Sequence, residues 1–161
     1  MKIFTDGSVH PNPNGNGGWA FVAINDKLVT AKWGFDVKTT NNRMEMMAVI
    51  EAMGHLSIID IADIYTDSEY VSKGINHWCY GWRKAGWPDH IKNKDLWLKM
   101  LAEADTKGSV MVKWTKAHCN NFYNDLADRL ANFARVNKFQ QIMEFPVDDQ
   151  HEVFRTVSYM I

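Results

Sequence analysis

Four carboxylates, Asp6, Glu45, Asp67 and Asp128, stand at places along the chain where their surroundings can aim them. Asp6 closes a strand-like run from Lys2, and Asp67 follows another from Ile61 to Thr66. If those strands lie side by side and parallel, both carboxylates leave the same edge of a sheet and can hold a cation between them. Glu45 falls in the first turn of a helical segment, where the backbone dipole favours the ionised form. Asp128 sits beside apolar Ala127 and Ala131 on the inner part of a last helix. With no cysteine or histidine among them, these acids make a hard, all-oxygen donor set that suits magnesium or manganese rather than zinc. Each acid alone has a plainer reading. Asp6 before Gly7 fits a turn, Glu45 a surface acid near a helix start, Asp67 before Ser68 a helix-start acid, and Asp128 an ion pair with Arg129 or Arg135.

The elements that must position them can be read from periodicity. Residues 2–6 form a first strand, and Trp19 to Ile24 and Leu28 to Phe35 form two more, joined at Asn25-Asp26, a pair suited to a tight hairpin. Asn41-Asn42 offers helix caps, and Met46, Val49, Ile50, Met53 and Leu56 recur at helical spacing, which predicts a helix over 43–56. Ile61 to Thr66 returns to strand. Ser68 caps a short helix through Ile75, a second helical piece covers Trp78 to Ala85, and Gly86-Trp87-Pro88 ends it. Leu96, Trp97, Met100, Leu101 and Ala104 mark a helix from Lys94 to about Lys107; Val110 to Thr115 is a fifth strand; and Leu126, Leu130, Phe133 and Ala134 line a last helix from Asp125. A strand–helix–strand step over 30–66 needs a crossover, so the fold class is α/β, one mixed sheet with helices packed on it. From Phe139 to Ile161 the pattern dissolves; Phe145-Pro146 and Asp148-Asp149 suit an irregular tail, and Val153 to Ile161 an added strand. The expected division is 1–138 as the domain and 139–161 as a C-terminal tail.

The chain has 161 residues, 46% of them apolar, a one-domain length with enough apolar material for a sizeable core. No apolar run approaches the ~20 residues that cross a bilayer, and the N-terminus meets Asp6 where a secretion signal needs apolar residues, so a cytoplasmic protein is expected. Cys79 and Cys119 lack a short C-x-x-C spacing and read as free thiols without chemistry. A formal net charge of −1 excludes polyanion binding by bulk charge. Any such contact is local, and the densest stretch is Trp78 to Lys94, where Arg83, Lys84, Lys92 and Lys94 are interleaved with Trp78, Tyr80, Trp82 and Trp87. Aromatics with cations suit stacking plus phosphate contact. The same stretch also fits an amphipathic helix with tryptophans in the core and lysines in water.

The settings of the acids resemble a known family, the type 1 ribonucleases H. The matching stretches are Phe4-Thr5-Asp6-Gly7-Ser8 with Gly17-Gly18, Thr39-Thr40-Asn41-Asn42-Arg43-Met44-Glu45, and Tyr65-Thr66-Asp67-Ser68-Glu69-Tyr70-Val71 with Gly74-Ile75 and Trp78. Lys92-Asn93-Lys94-Asp95-Leu96-Trp97, Trp114-Thr115-Lys116-Ala117-His118 and Asn124-Asp125-Leu126-Ala127-Asp128-Arg129-Leu130-Ala131 follow in order. The resemblance implies a ribonuclease H-like fold with five strands in the order 3-2-1-4-5. It implies an endonuclease that hydrolyses the RNA strand of RNA–DNA hybrids, with Asp6, Glu45, Asp67 and Asp128 holding two magnesium ions, for which manganese substitutes. One ion would lower the pKa of a water and the other neutralise the leaving 3′ oxygen, giving 5′-phosphate and 3′-hydroxyl products. His118 matches a family histidine that moves protons or helps product leave.

By the same resemblance Asn12, Asn41, Asn42 and Glu69 lie along the minor groove near the RNA, where a 2′-hydroxyl can be read. Trp78 and Trp82 meet deoxyribose, and Lys38, Thr40 and Asn93 form a pocket for one DNA phosphate. Arg83 and Lys84 belong to the cationic ridge, and the partner is the hybrid, bound by a monomer. The chain departs from the family pattern in its longer first turn, Pro11 to Gly18, in Glu69 and Lys73, in Cys119-Asn120, and in Pro88-Asp89-His90, where relatives carry more lysine. Three rivals are less well supported. A binding module that had lost catalysis would lack an acid, an exonuclease or strand-transfer enzyme of this fold would lack the Thr39 to Glu45 segment, and a glycosidase needs a carboxylate pair but not two further acids.

Overall fold

A computed structural model of the chain describes residues 1–117, 120–148, 155, 156 and 158. Its order is β1 (Lys2–His10), β2 (Gly15–Ile24), β3 (Leu28–Thr39), α1 (Asn41–His55), β4 (Ile61–Thr66), α2 (Glu69–Lys73), a π-helical turn (Gly74–Trp78), α3 (Cys79–Lys84), α4 (Lys94–Asp105), β5 (Ser109–Trp114), α5 (Phe122–Asn137) and β6 (Gln141–Pro146). One sheet holds all the strands in the order β5-β4-β1-β2-β3-β6. β1, β4 and β5 are parallel, and the remaining pairs are antiparallel. The expected mixed α/β sheet is therefore present with its expected strand order, and the count is corrected from five strands to six.

The sixth strand lies in the segment expected to be irregular. Leu28 pairs with Pro146 and Trp33 with Gln141, so the chain returns to cover the open edge of β3. Phe145 is buried there against Val29, Ala31 and Trp33, while Ile142 faces out half-exposed. That alternation is a strand signal, but it is carried by a short run beside a proline, which tolerates an edge strand only. The strand expected at Val153–Ile161 lies almost wholly outside the described residues, as do His118 and Cys119.

Helix starts follow side-chain chemistry closely. Thr40, rather than Asn41 or Asn42, caps α1, its hydroxyl accepting from the Arg43 amide at 3.3 Å. Asn41 is the first helical residue, and its own amide donates to the Asn12 side chain at 3.1 Å. Ser68 caps α2 as expected, accepting from the Val71 amide at 3.2 Å, and Asn121 caps α5 through two amides. Each such cap contributes roughly 1 kcal/mol.

Two apolar layers clamp the sheet. On one face α1 and α4 bury Met44, Met46, Val49, Met53, Trp97 and Met100 over Ile3, Phe21 and Ile64. On the other, Leu126, Leu130, Ala131 and Ala134 of α5 cover Phe4, Ala20, Val22 and Trp33. The carboxylates therefore gather where the ends of β1 and β4 meet two helices approaching from opposite faces.

Candidate active site

β1 and β4 pair in parallel, with Phe4 opposite Tyr65. Continuing that register places Asp6 beside Asp67, and the Thr5 hydroxyl ties the strands together by donating to the Tyr65 carbonyl at 2.9 Å. Side chains alternate along β1, so Asp6 and Ser8 face α5 while Gly7 faces α1. A glycine is needed at that point. A Cβ on Gly7 would stand 2.6 Å from the Met44 carbonyl carbon and would also strike the Glu45 backbone. That bare approach lets the start of α1 lay Glu45 against the sheet, just beyond the first turn in which the sequence had placed it. Gly18, paired with Ser8 on β2, does the same for α5, since a Cβ there would lie 2.6 Å from the Arg135 amide nitrogen.

The result is a cluster in which Asp6, Glu45 and Asp67 each bring a carboxylate oxygen within 4.8 Å of the others. Asp128 approaches Asp6 from α5 and stands outside that three-acid group. Glu45 is only 3% exposed, which disfavours the plainer alternative of a surface acid, and its Oε2 is buried without a hydrogen-bond partner. Burial pushes the Glu45 carboxyl well above the usual carboxylate range, and Asp6 and Asp67 raise it further, against a lowering contribution from the Gly7 amide. Asp6 is likewise raised, first by burial and then by Asp67 and Asp128. An unpartnered buried carboxylate oxygen facing other acids costs several kcal/mol unless a cation offsets it. The donor set, all carboxylate oxygen, fits a hard divalent ion.

Around α1's start the structure also assembles several of the residues expected to touch substrate. Asn12 and Asn41 meet through the hydrogen bond described above, next to Thr40, whose hydroxyl is engaged by the Arg43 amide. Asn93 holds a left-handed backbone, φ 58°, at the head of α4. Its side chain accepts from Arg43 at 3.3 Å and donates to the Tyr70 hydroxyl at 3.1 Å. Arg43 is in turn held by a two-pronged pair with Asp95 at 2.9 and 2.8 Å. Lys38 lies exposed near the end of β3 with a left-handed backbone, φ 56°, and Asn42 is exposed on the first turn of α1. Glu69 is engaged with Lys73 four residues on. Arg43, Asp95 and Tyr70 were not singled out from the sequence; the signal available was Asp95 opening a helix two residues after Asn93.

Along the ridge the two readings of the tryptophans divide. Trp78 is 39% exposed, whereas Trp82 is partly buried, its ring 5.9 Å from Trp78, 6.2 Å from Trp87 and 5.8 Å from Trp97. Arg83 pairs with Asp105 at 2.9 Å, and Lys94 donates to the Trp87 carbonyl and reaches Asp89 at 3.1 Å. Lys84 and Lys92 are exposed. Cys79 is buried, and burial pushes its thiol up to about 11, which agrees with a structural role.

A family model for RNase H matches residues 1–135 of the chain. The chain belongs to the ribonuclease H family. Curated bacterial relatives agree across most of both sequences. Ribonuclease H of Aromatoleum aromaticum is 41% identical over 135 residues, covering 81% of this chain and 87% of that protein. Ribonuclease HI of Rickettsia prowazekii is 43% identical over 138 residues, covering 81% and 88%. These relatives place the chain in the type 1 branch and make it a ribonuclease H enzyme, one of the metal-dependent enzymes that cleave the RNA strand of RNA–DNA hybrids. Among solved structures, LC9-RNase H1 shares the fold at a TM-score of 0.81 and 23% identity, covering 99% of this chain and 83% of that one. The ribonuclease H domain of a foamy virus shares it at 0.70 and 21% identity, covering 84% and 94%. Among the described residues, no helix of this ribonuclease H is long and apolar enough to cross a membrane.

Proposed function

We propose that this ribonuclease H is an endonuclease that hydrolyses the RNA strand of hybrids with Asp6, Glu45, Asp67 and Asp128 as ligands to magnesium, two ions being held when substrate is bound. The observation that carries this is the buried, unpartnered Glu45 Oε2 set against two further carboxylates. Held by these acids, such ions would supply the acidity to activate a water and the charge to offset the leaving 3′ oxygen, with 5′-phosphate and 3′-hydroxyl ends expected; manganese is expected to substitute. The chain's own part is preorganisation. Gly7 lets Glu45 reach the sheet, its amide donates to Asp6 Oδ1 at 2.9 Å, and Asp128 closes the site from α5. His118 serves as the group that moves a proton or helps product leave.

Recognition of the hybrid follows from the surroundings. Asn12, Asn41, Asn42 and Glu69 face the RNA strand in the minor groove, where amide and carboxylate groups can bond a 2′-hydroxyl. Lys38, Thr40 and Asn93 receive a DNA phosphate, and Trp78 and Trp82 with Arg83 and Lys84 meet the DNA strand farther along. We read the enzyme as a monomer, and a cytoplasmic location accords with the free Cys79 thiol. The test is a set of end-labelled substrates, hybrid against duplex RNA, duplex DNA and single strands, with magnesium and with chelator. Only the hybrid with magnesium should be cut, in its RNA strand, leaving 5′-phosphates. Cutting that persists in chelator, or that spares the hybrid, would overturn the proposal.

A further inference from the structure

Asp128 enters the site from a helix, so something must fix which way its carboxylate points. Its Oδ1 accepts a hydrogen bond from the Asn132 side-chain amide at 3.2 Å, and the same nitrogen donates to the Asp128 carbonyl at 3.0 Å. Asn132 is one turn farther along α5, the spacing at which side chains on a helix meet. What gives the contact direction is the other end of the amide. The Asn132 oxygen accepts from the Ser8 hydroxyl at 2.8 Å and from Arg135 at 3.4 Å. Ser8 in turn accepts from Arg135 Nε at 3.1 Å. The Ser8 hydroxyl thus spends its single proton on Asn132 and takes one from a guanidinium that can only donate. Every member therefore has one hydrogen-bonding polarity available, and the Asn132 NH2 is turned toward Asp128.

We infer that Asn132, oriented by Ser8 and Arg135, is a positioning residue that holds the Asp128 carboxylate for its cation. The inference rests on the reading of Asp128 as a ligand given above. Ser8 lies two residues beyond Asp6 on the same face of β1, so the network couples the strand that carries one acid to the helix that carries another. With Oδ1 engaged by Asn132, Asp128 keeps its other oxygen for the cation. Hydrogen-bond partners behind a metal ligand typically alter metal affinity by about 10- to 100-fold.

The experiment measures the magnesium and manganese dependence of the melting temperature without substrate, together with the metal concentration that half-saturates hybrid cleavage. Variants are Asn132→Ala, Ser8→Ala, their double mutant, and Asp128→Ala. Asn132→Ala should shrink the metal-induced rise in melting temperature and raise the half-saturating metal concentration about tenfold, with hybrid affinity in chelator unchanged. Ser8→Ala should act in the same direction but more weakly, Ser8→Thr should restore the wild-type value, and the double mutant should match Asn132→Ala because Ser8 acts through it. If Asn132→Ala fails to fold, the Ser8 pair reads the same effect. Unaltered metal dependence in Asn132→Ala and Ser8→Ala, with or without a lower metal-free melting temperature, would overturn the inference and leave the network as a tie between α5 and β1. Asp128→Ala separates the two levels. If it shifts the metal dependence and Asn132→Ala does not, only the inference fails; if neither does, the assignment of Asp128 as a ligand fails.

Discussion

Gly7 and Glu45 touch backbone to backbone, with no room between them for a single methyl group. That contact is what brings an acid from α1 onto the edge of a sheet whose own acids are Asp6 and Asp67. Gly7→Ala should push the first turn of α1 away from β1. Turnover should fall by about 100-fold or more, the penalty for displacing a catalytic group by an ångström. Overpacking should lower stability by roughly 1–3 kcal/mol. Kinetics and urea denaturation of the variant check both, and a fully active Gly7→Ala enzyme would show that Glu45 does not depend on this approach.

The raised carboxyls of Asp6 and Glu45 set the sign of a pH effect in the metal-free protein. Each native pKa lies above its unfolded value, so between the two the native state keeps a proton that the unfolded chain has released. Unfolding free energy then falls as pH rises. The loss begins in the ordinary carboxylate range near pH 4 and is complete above the native values. Glu45→Gln removes part of it. In chelator, wild type should therefore lose stability relative to Glu45→Gln as pH climbs from about 4 to 8. Parallel curves for the two proteins would contradict the burial assigned to Glu45.

Much of this site was legible from the sequence, and the reason is local. Asp6 and Asp67 each end a strand-like run, so a parallel pairing of those runs was enough to bring them together. Glu45 was picked out as a candidate ligand and does stand beside Asp6 and Asp67, but it lies beyond the first turn of α1, and nothing in its own neighbourhood said that it would be buried. The information was in Gly7, whose meaning depends on a contact 38 residues away. Thr40, and neither asparagine, caps α1 by accepting from the Arg43 amide, while Asn12 meets the Asn41 amide from a distant loop. β6 escaped notice because its partner, β3, is distant in sequence, and its alternation spans only Gln141–Pro146. Asn132 and Ser8 lacked any signal of their own, being ordinary polar residues until α5 crosses β1.

The two ridge tryptophans should separate. Trp82 packs among Trp78, Trp87 and Trp97, so Trp82→Ala should cost on the order of 3 kcal/mol and lower the melting temperature. Trp78→Ala, at a half-exposed ring, should raise KM with little change in melting temperature. Replacing Arg83, Lys84, Lys92 and Lys94 with alanine should also raise KM and leave saturated turnover in place. Each lost phosphate contact should reduce the log–log salt slope by about 0.9. The total should stay below four contacts' worth, because Arg83 and Lys94 are also engaged with Asp105 and Asp89. An unchanged KM and slope in the quadruple variant would place hybrid binding elsewhere.

His118 should behave as a proton-transfer group. His118→Ala is expected to lower turnover by roughly 100-fold, within the range for a lost general acid or base, while hybrid affinity holds. A fall in affinity with turnover preserved would make it a substrate contact instead.

The cluster of Asp6, Glu45 and Asp67 is tested most directly through Asp67→Asn, measured for hybrid cleavage, hybrid binding and melting temperature in one buffer with and without magnesium. The amide keeps the shape of the side chain and removes one of three mutually repelling charges. The account predicts abolished cleavage, retained hybrid binding, a metal-free melting temperature equal to or above wild type, and a smaller rise on adding magnesium, since an ion that binds the native state stabilises it by mass action. Cleavage by Asp67→Asn at the wild-type rate, with the full magnesium-induced rise in melting temperature, would contradict it.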